Sequence, residues 1–194
     1  MLSAEYCRQF FGGSGVCIFI HKALKVSTIN LHEFCKDKDF EVCAFLLELS
    51  YTKILVITVY RSTSGDFQLF LIRLEVTISK FFKSNLKLII CRDINLNYLV
   101  DTDRKRQLHS IWNLMISSAR YTFPLEIKKS RWNTANDNIF IDTSAFSNFK
   151  IIPIINGLSD NDAQLLIIKD LHMCIGTNYM KTIGYIEECL LLKF

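Results

Sequence analysis

The amino-acid sequence predicts an α+β fold, a β-sandwich of two mixed sheets flanked by helices. Strand-like segments come first and are followed by a helix, a strand, a second helix and a run of short strands. This order is typical of mixed sheets with helices packed outside them. The chain has 194 residues, half of them hydrophobic and 22% charged. We therefore expect a single domain over residues 1–194 that buries a sizeable core.

Two helices are indicated by apolar residues spaced three and four positions apart. Asp66 is placed to cap the first helix, and residues 103–117 form the second. The predicted buried stripes are Phe67, Phe70, Leu71, Leu74, Ile78, Phe81 and Phe82 in the first helix, and Leu108, Ile111, Trp112 and Met115 in the second.

Strands are predicted from short apolar runs bounded by turn-forming residues. A tight connection at residues 51–52 suggests that two of them form a hairpin. Residues 1–11 and 23–41 are predicted to be irregular, and the apolar tail 182–194 is compatible with a strand or a helix. The predicted strands are 16–22, 42–50, 53–60, 86–91, 121–127, 138–141, 151–155 and 164–169.

The strand at 86–91 runs directly into a polar turn that carries Asp93 and Asn95. Open α/β sheets place their functional sites at the carboxyl ends of such buried strands. The same two residues also fit an Asx-type turn that caps the following segment. Both interpretations are open from the sequence.

Cysteine spacing, hydrophobic runs and net charge indicate where the protein is located and which partners it can bind. Seven cysteines form no CxxC pair, which indicates free thiols and an intracellular protein, in nucleus or cytoplasm. The sequence shows no signal peptide and no membrane span, so no membrane partner is expected. A formal net charge of +4 permits nucleic-acid binding without requiring it. The four histidines lack metal-ligand spacing, and no small organic cofactor is indicated.

Three polar clusters each lie at the end of a predicted strand: Asp93–Asn95, Asn136–Asn138 and Ser159–Asp162. Together with Tyr60-Arg61, and in this order, they resemble the endonuclease/exonuclease/phosphatase family. More narrowly, they resemble the apurinic-type endonuclease domains of non-LTR retrotransposons. The resemblance spans residues 12–169 and includes the glycine-rich turn before the first predicted strand.

The family motifs match this sequence segment by segment. Tyr60–Gly65 is similar to a Tyr-Arg-Pro-Pro-Ser-Gly segment, and Arg92–Asn95 to Gly-Asp-Phe-Asn. Asn136–Phe140 is similar to Ile-Asp-x-Ile-Phe, and Ser159–Asp162 to Ser-Asp-His-Asp.

The resemblance implies a four-layer sandwich that hydrolyses DNA phosphodiester bonds with Mg²⁺ or Mn²⁺ in a cleft between two sheets. Asp93 would orient the attacking water, Asn95 would hold the scissile phosphate, and Tyr60 would lie against it. Asp160 would position the family histidine or assist at the metal. The expected substrate contacts are Arg61, Asp137, Asn138 and Arg131.

Two departures from the family predict impaired catalysis. The family histidine is replaced by Asn161, and an amide can donate a hydrogen bond to an oxyanion but cannot exchange a proton near neutral pH. Family members also carry a metal-binding glutamate on a strand upstream of the glycine-rich turn. Glu5 is the one acid before that turn here, in no strand-like context, so the sandwich is predicted to be incomplete at its N-terminus. Arg92 replaces a glycine, which adds bulk at the strand end.

Three alternatives remain at this stage. A non-catalytic nucleic-acid-binding module would use basic side chains as phosphate contacts. A phosphatase relative would act on small phosphoesters. An interaction protein would self-associate through exposed sheet edges. The candidate phosphate contacts are Arg61, Arg104, Lys105, Arg106, Lys128, Lys129 and Arg131.

Overall fold

The computed structural model contains strands and two α-helices that alternate much as the sequence predicts. The residues it describes are 2–8, 15–81, 83, 85–97, 100–115, 121–122, 137–142, 145–154, 163–169 and 189–192. The helices are α1, Phe67–Phe81, and α2, Asp103–Met115. The strands are β1 Leu2–Cys7, β2 Gly15–Ile20, β3 Val26–Ile29, β4 Glu41–Glu48, β5 Lys53–Tyr60, β6 Leu86–Asp93, β7 Tyr121–Thr122, β8 Asp137–Asp142, β9 Phe149–Ile154, β10 Ala163–Ile168 and β11 Cys189–Leu192.

A six-stranded mixed sheet carries most of the described chain. Its strand order is β3-β4-β5-β6-β8-β7. The pair β5–β6 is parallel and the other neighbours are antiparallel. β4 and β5 form the predicted hairpin, and α1 connects β5 to β6, as a parallel pair requires a long crossover.

The second layer of the sandwich consists of antiparallel strands. β1 pairs with β2, and β10 pairs with both β9 and β11. Val16, Ile18 and Ile20 of β2 and Leu166 of β10 pack against the same apolar cluster as the large sheet. The tail therefore contributes a strand, β11, to this layer.

Each face of the large sheet has its own core because side chains alternate between faces along a strand. Phe45, Val56 and Ile89 face the second layer, whereas Leu55 and Ile90 face the helices. The fold is therefore a sandwich with α1 and α2 packed outside the large sheet, which confirms the predicted α+β class.

Both helices form where the apolar spacing predicts. Asp66 caps α1: its Oδ1 accepts the backbone N–H groups of Gln68 at 2.8 Å and Leu69 at 3.1 Å. Of the predicted apolar stripe, the part within α1 is in the helix-side core, with Phe81 only partly buried, and Phe82 lies outside the described residues. In α2, Leu108 is fully buried and Ile111 packs against the same core. The side chains of Trp112 and Met115 lie outside the description.

Two segments predicted to be irregular contain strands. β1 lies within residues 1–11 and places Glu5 opposite Cys17, so the expectation that Glu5 has no strand context was wrong. The sequence pattern was weak because the buried side chain of this strand, Ala4, is small. Residues 23–41 contain β3, a 3-10 helix over His32–Phe34 and the first residue of β4.

The cysteine thiols described are free, and two of them are buried in the sandwich core. Cys43 and Cys91 are 3% and 0% exposed, and burial raises the pKa of each thiol. Cys17 is only partly buried. Within the described chain, neither α-helix has the length and apolar composition needed to cross a bilayer.

Candidate functional site

The pairing of the strands places four polar residues in one row across the large sheet. Glu41 of β4 pairs with Tyr60 of β5, Tyr60 pairs with Asp93 of β6, and Asp93 pairs with Asp137 of β8. Glu41, Tyr60 and Asp93 each lie an even number of positions from sandwich-core residues of the same strand. Their side chains are therefore on the side of the sheet that faces the second layer. The row is at the carboxyl ends of the parallel strands β5 and β6.

Asp93 and Asn95 form a tight turn at the end of β6. The Asn95 backbone N–H donates to Asp93 Oδ1 at 3.1 Å, and Asn95 has a left-handed φ of 52°, which asparagine tolerates better than most residues. The Asx turn is therefore present, and it also fixes the carboxylate. Burial raises the Asp93 pKa, while the Asn95 N–H and the charges of Arg61 and Arg92 oppose that rise.

The buried side chain of Arg61 stabilises this turn through hydrogen bonds to backbone carbonyls. Its side chain is 1% exposed and donates to the carbonyls of Ile94 at 3.1 Å, Gly65 at 2.7 Å, Ser62 at 3.0 Å and Asn95 at 3.4 Å. Asn95 Nδ2 in turn donates to the Arg61 carbonyl at 2.8 Å. Arg61 thus has a structural role in the turn and is not placed for the direct substrate contact expected from the sequence.

Two residues in the site region were missed by the sequence analysis, Glu41 and Arg8. Glu41 is 0% exposed, and its Oε1 accepts Arg8 Nε at 2.5 Å and the Lys38 backbone N–H at 2.8 Å. The Arg8 guanidinium carbon lies 5.6 Å from the centre of the Tyr60 ring. Glu41 could have been noticed as an acidic residue at the start of an otherwise apolar strand. Arg8 could not, because it follows β1, a strand that the sequence did not predict.

Arg92 does not occupy a backbone conformation that requires glycine. Among the described non-glycine residues only Lys38 and Asn95 have positive φ, so the family glycine is not needed here for its conformational freedom. The Arg92 side chain is 0% exposed on the helix side of the sheet, with its guanidinium carbon 4.3 Å from the Phe140 ring centre. The extra bulk is accommodated in the core.

The remaining predicted site residues are described in part or not at all. Asp137 and Asn138 are described through their backbone pairing with Asp93 and Arg92. Asp160, Asn161 and Arg131 lie outside the described residues. The structure thus brings Tyr60, Asp93 and Asn95 together, and the role of every predicted site residue stays a prediction.

The side chains described do not form a set suited to Mg²⁺ or Mn²⁺. Among these residues no three His, Cys, Asp or Glu side chains are grouped to hold a metal ion. The fully buried carboxylate of the row, Glu41, is already paired with a guanidinium. The divalent cation implied by the resemblance stays a prediction, and we derive no step through it.

A two-layer sandwich with its polar row at the strand ends defines the structural class: the chain has the endonuclease/exonuclease/phosphatase fold. In particular, it is similar to the endonuclease domain of TRAS1, a telomere-specific non-LTR retrotransposon. The TM-score is 0.68 at 12% identity, over 87% of this chain and 80% of that domain. The human Nocturnin catalytic domain with bound sulfate gives a TM-score of 0.50 at 12% identity, over 85% and 64%. No protein-family model and no curated protein matches the sequence.

Proposed function

We propose that this chain is a DNA-binding domain of the retrotransposon-endonuclease type whose capacity to cleave phosphodiester bonds is reduced. The observation that carries this proposal is the register row that places Tyr60 beside Asp93, with Asn95 in the turn that follows. The likeness in fold to the TRAS1 endonuclease domain supports it.

The side chains of the row have the chemistry that phosphodiester binding requires. The Tyr60 hydroxyl can donate to a phosphate oxygen, and the Asn95 amide has a second N–H besides the one that donates to the Arg61 carbonyl. Asp93 is a carboxylate that can accept a proton from an attacking water. Burial raises its pKa, which makes the carboxylate a stronger base than an exposed one.

We assign Asp160 and Asn161 to the same site on the strength of the motif order in the sequence, in which Ser159–Asp162 follows the segments that carry Tyr60 and Asp93. Lys87, at the start of β6, donates from Nζ to the Ala145 carbonyl at 2.8 Å, and Ala145 shortly precedes β9. This contact places residue 145, which shortly precedes β9, near the start of β6. In the sequence, Asp160 and Asn161 lie between the end of β9 and the start of β10.

Reduced cleavage follows from the identity of residue 161. An asparagine amide cannot exchange a proton near neutral pH, and the loss of a general acid or base lowers a rate by about 10²–10⁴-fold. The same substitution leaves hydrogen bonding to phosphate intact. We therefore expect binding of DNA without rapid cleavage.

The test compares the wild-type chain with Asn161→His, which restores the family residue. Nicking of supercoiled DNA is measured in Mg²⁺ and in EDTA, and binding of a labelled duplex is measured by fluorescence anisotropy. We expect wild-type protein to bind DNA with little nicking. Asn161→His should nick about 10²–10⁴-fold faster, and adding Asp93→Asn to that variant should abolish the gain.

A matched control is Asp103→Asn in the Asn161→His background, because Asp103 is an exposed carboxylate on α2 paired with Arg106. It should leave nicking unchanged. Rapid nicking by the wild-type chain that Asp93→Asn removes would overturn the proposed impairment. Absence of DNA binding by the folded wild-type chain would overturn the proposed function as a whole.

A further inference from the structure

A buried ion pair connects the second layer of the sandwich to the polar row. Arg8 follows directly after β1, and its Nε donates to Glu41 Oε1 at 2.5 Å. Side-chain exposure is 6% for Arg8 and 0% for Glu41. An ion pair this deeply buried is not a solvated surface contact, and removing one partner would leave an uncompensated charge.

Glu41 is fixed on the large sheet independently of Arg8. Its backbone belongs to β4 and pairs with Tyr60, and its Oε1 also accepts the Lys38 N–H at 2.8 Å. The carboxylate therefore stands beside Tyr60, on the same face of the sheet and one strand away. It provides a fixed anchor for the guanidinium.

Arg8 in turn contacts Tyr60. Its guanidinium carbon lies 5.6 Å from the Tyr60 ring centre. Burial lowers the Arg8 pKa, but the hydrogen bond to Glu41, the Glu41 charge and the interaction with Tyr60 raise it overall. The guanidinium stays charged and forms one bridge from Glu41 to the tyrosine.

We propose that Arg8, anchored by Glu41, is a positioning residue that orients the Tyr60 side chain toward the phosphate of bound DNA. This inference rests on the proposed function, in which Tyr60 contacts that phosphate. With 6% of its side chain exposed, Arg8 acts through Tyr60 and does not touch the DNA. A planar guanidinium can bond a carboxylate and contact an aromatic ring at once, which an ammonium group cannot do in the same geometry.

A double-mutant cycle on DNA affinity tests this role. The variants are Arg8→Lys, Tyr60→Phe and the double variant, with a labelled duplex as the probe. We expect Arg8→Lys and Tyr60→Phe each to weaken binding by about 10-fold, the size of one hydrogen bond to a charged group. The double variant should be no weaker than Tyr60→Phe alone, because Arg8 acts through the tyrosine hydroxyl.

Arg73→Lys is the matched control, since Arg73 is a partly buried arginine of α1 that donates to the Phe34 carbonyl at 2.7 Å, away from the row. It should leave DNA affinity unchanged. Glu41→Gln is the second test variant, because the amide oxygen still accepts the Arg8 N–H groups. It should weaken binding less than Arg8→Lys and show the same dependence on the Tyr60 hydroxyl. Urea unfolding of every variant identifies any that is not folded.

The outcomes distinguish the positioning role of Arg8 from the proposed DNA-binding function. If folded Arg8→Lys and Glu41→Gln bind DNA as the wild type does while Tyr60→Phe is weakened, the positioning role of Arg8 is overturned and the DNA-binding proposal stands. Additive losses in the cycle would also overturn it, because they would mean that Arg8 acts independently of Tyr60. If wild-type protein does not bind DNA, the proposed function itself fails.

Discussion

At the scale of single residues, the Asp93 carboxylate has both a structural role and a proposed chemical role. Its Oδ1 satisfies the Asn95 N–H, which shapes the end of β6, and the same carboxylate is the proposed base of the site. Burial raises its pKa, so keeping it ionised at neutral pH costs folding free energy. Sites that place charged groups in partly dry surroundings commonly show this cost.

Asp93→Asn should therefore be more stable than the wild type at neutral pH. Because the folded-state pKa of Asp93 is raised, the unfolded chain loses its proton first as pH rises above about 3.9, and stability falls until the folded-state pKa is passed. The amide has no such dependence and can still accept the Asn95 N–H. Urea unfolding of both proteins from pH 3 to pH 8 measures the difference.

The stability advantage of Asp93→Asn should shrink as pH falls and should be lost well below about 3.9, where Asp93 is protonated in both states. Other carboxylates contribute to both proteins and cancel in the difference. An advantage that is independent of pH would show that the ionisation of Asp93 carries no stability cost.

Single residues also show where sequence reasoning succeeds and where it stops. Tyr60, Asp93 and Asn95 could be predicted because each lies at the end of an apolar run. The buried pair of Arg8 and Glu41 could not, since its members are 33 positions apart and meet only through the packing of β1 against β4. Arg61 was recognised as important, but its burial beneath the turn was not readable from its position in the chain.

At the scale of secondary-structure elements, prediction follows the strength of the local pattern. α1 was predictable because five of its apolar residues at helical spacing are buried in one core. β4, β5 and β6 were predictable because both of their faces are apolar. β3 was missed because Ser27 and Thr28 are exposed at the edge of the sheet, which leaves little apolar alternation to detect.

The first turn of α2 contains three consecutive basic residues, Arg104, Lys105 and Arg106, and the two arginines differ in their surroundings. Arg106 is neutralised by Asp101 at 2.7 Å and Asp103 at 2.6 Å. Arg104 is exposed and lies over the Phe67 ring at 5.4 Å, and no described carboxylate pairs with it. The buried Arg61 lies over the same ring at 5.5 Å, so Arg104 is next to the turn that carries Asn95.

We expect Arg104→Gln to weaken DNA binding and to reduce the slope of log affinity against log salt by about 0.9, the effect of one lost phosphate contact. Arg106→Gln is the matched control and should change the slope little, because its charge is already balanced. Anisotropy titrations between 50 and 200 mM salt, roughly the range over which such contacts are resolved, measure both. Equal slopes for Arg104→Gln and the wild type would exclude Arg104 as a phosphate contact.

At the scale of the whole molecule, the parallel pair β5–β6 lies between two cores. Leu55 and Ile90 are fully buried on the helix side, and Val56 and Ile89 are at most 1% exposed on the sandwich side. Opening this pair would expose both cores at once, whereas β3, at the edge of the sheet, contributes only partly buried side chains, Val26 and Ile29, to them. Local stability should therefore be highest at the centre of the large sheet.

Native-state hydrogen exchange tests this distribution. The amides of Val56, Ile57, Ile89 and Ile90 should exchange only through global unfolding, and those of Ser27 and Thr28 should exchange faster. Urea in low concentrations should accelerate exchange of the first group strongly and of the second group weakly. Equal protection in β3 and β6 would show that the large sheet opens as one unit.

The alternation of side chains along β6 determines which charge the end of this strand presents to each face of the sheet. Arg92 and Asp93 are neighbours on opposite faces, the cation toward the helices and the anion toward the second layer. Deleting one codon within the preceding apolar run would exchange them, since a shift of one position turns every side chain to the other face. The sign of the charge that the end of β6 presents to the second layer is thus encoded by the length of a hydrophobic segment. A frame-preserving deletion there would invert that charge without changing a polar residue.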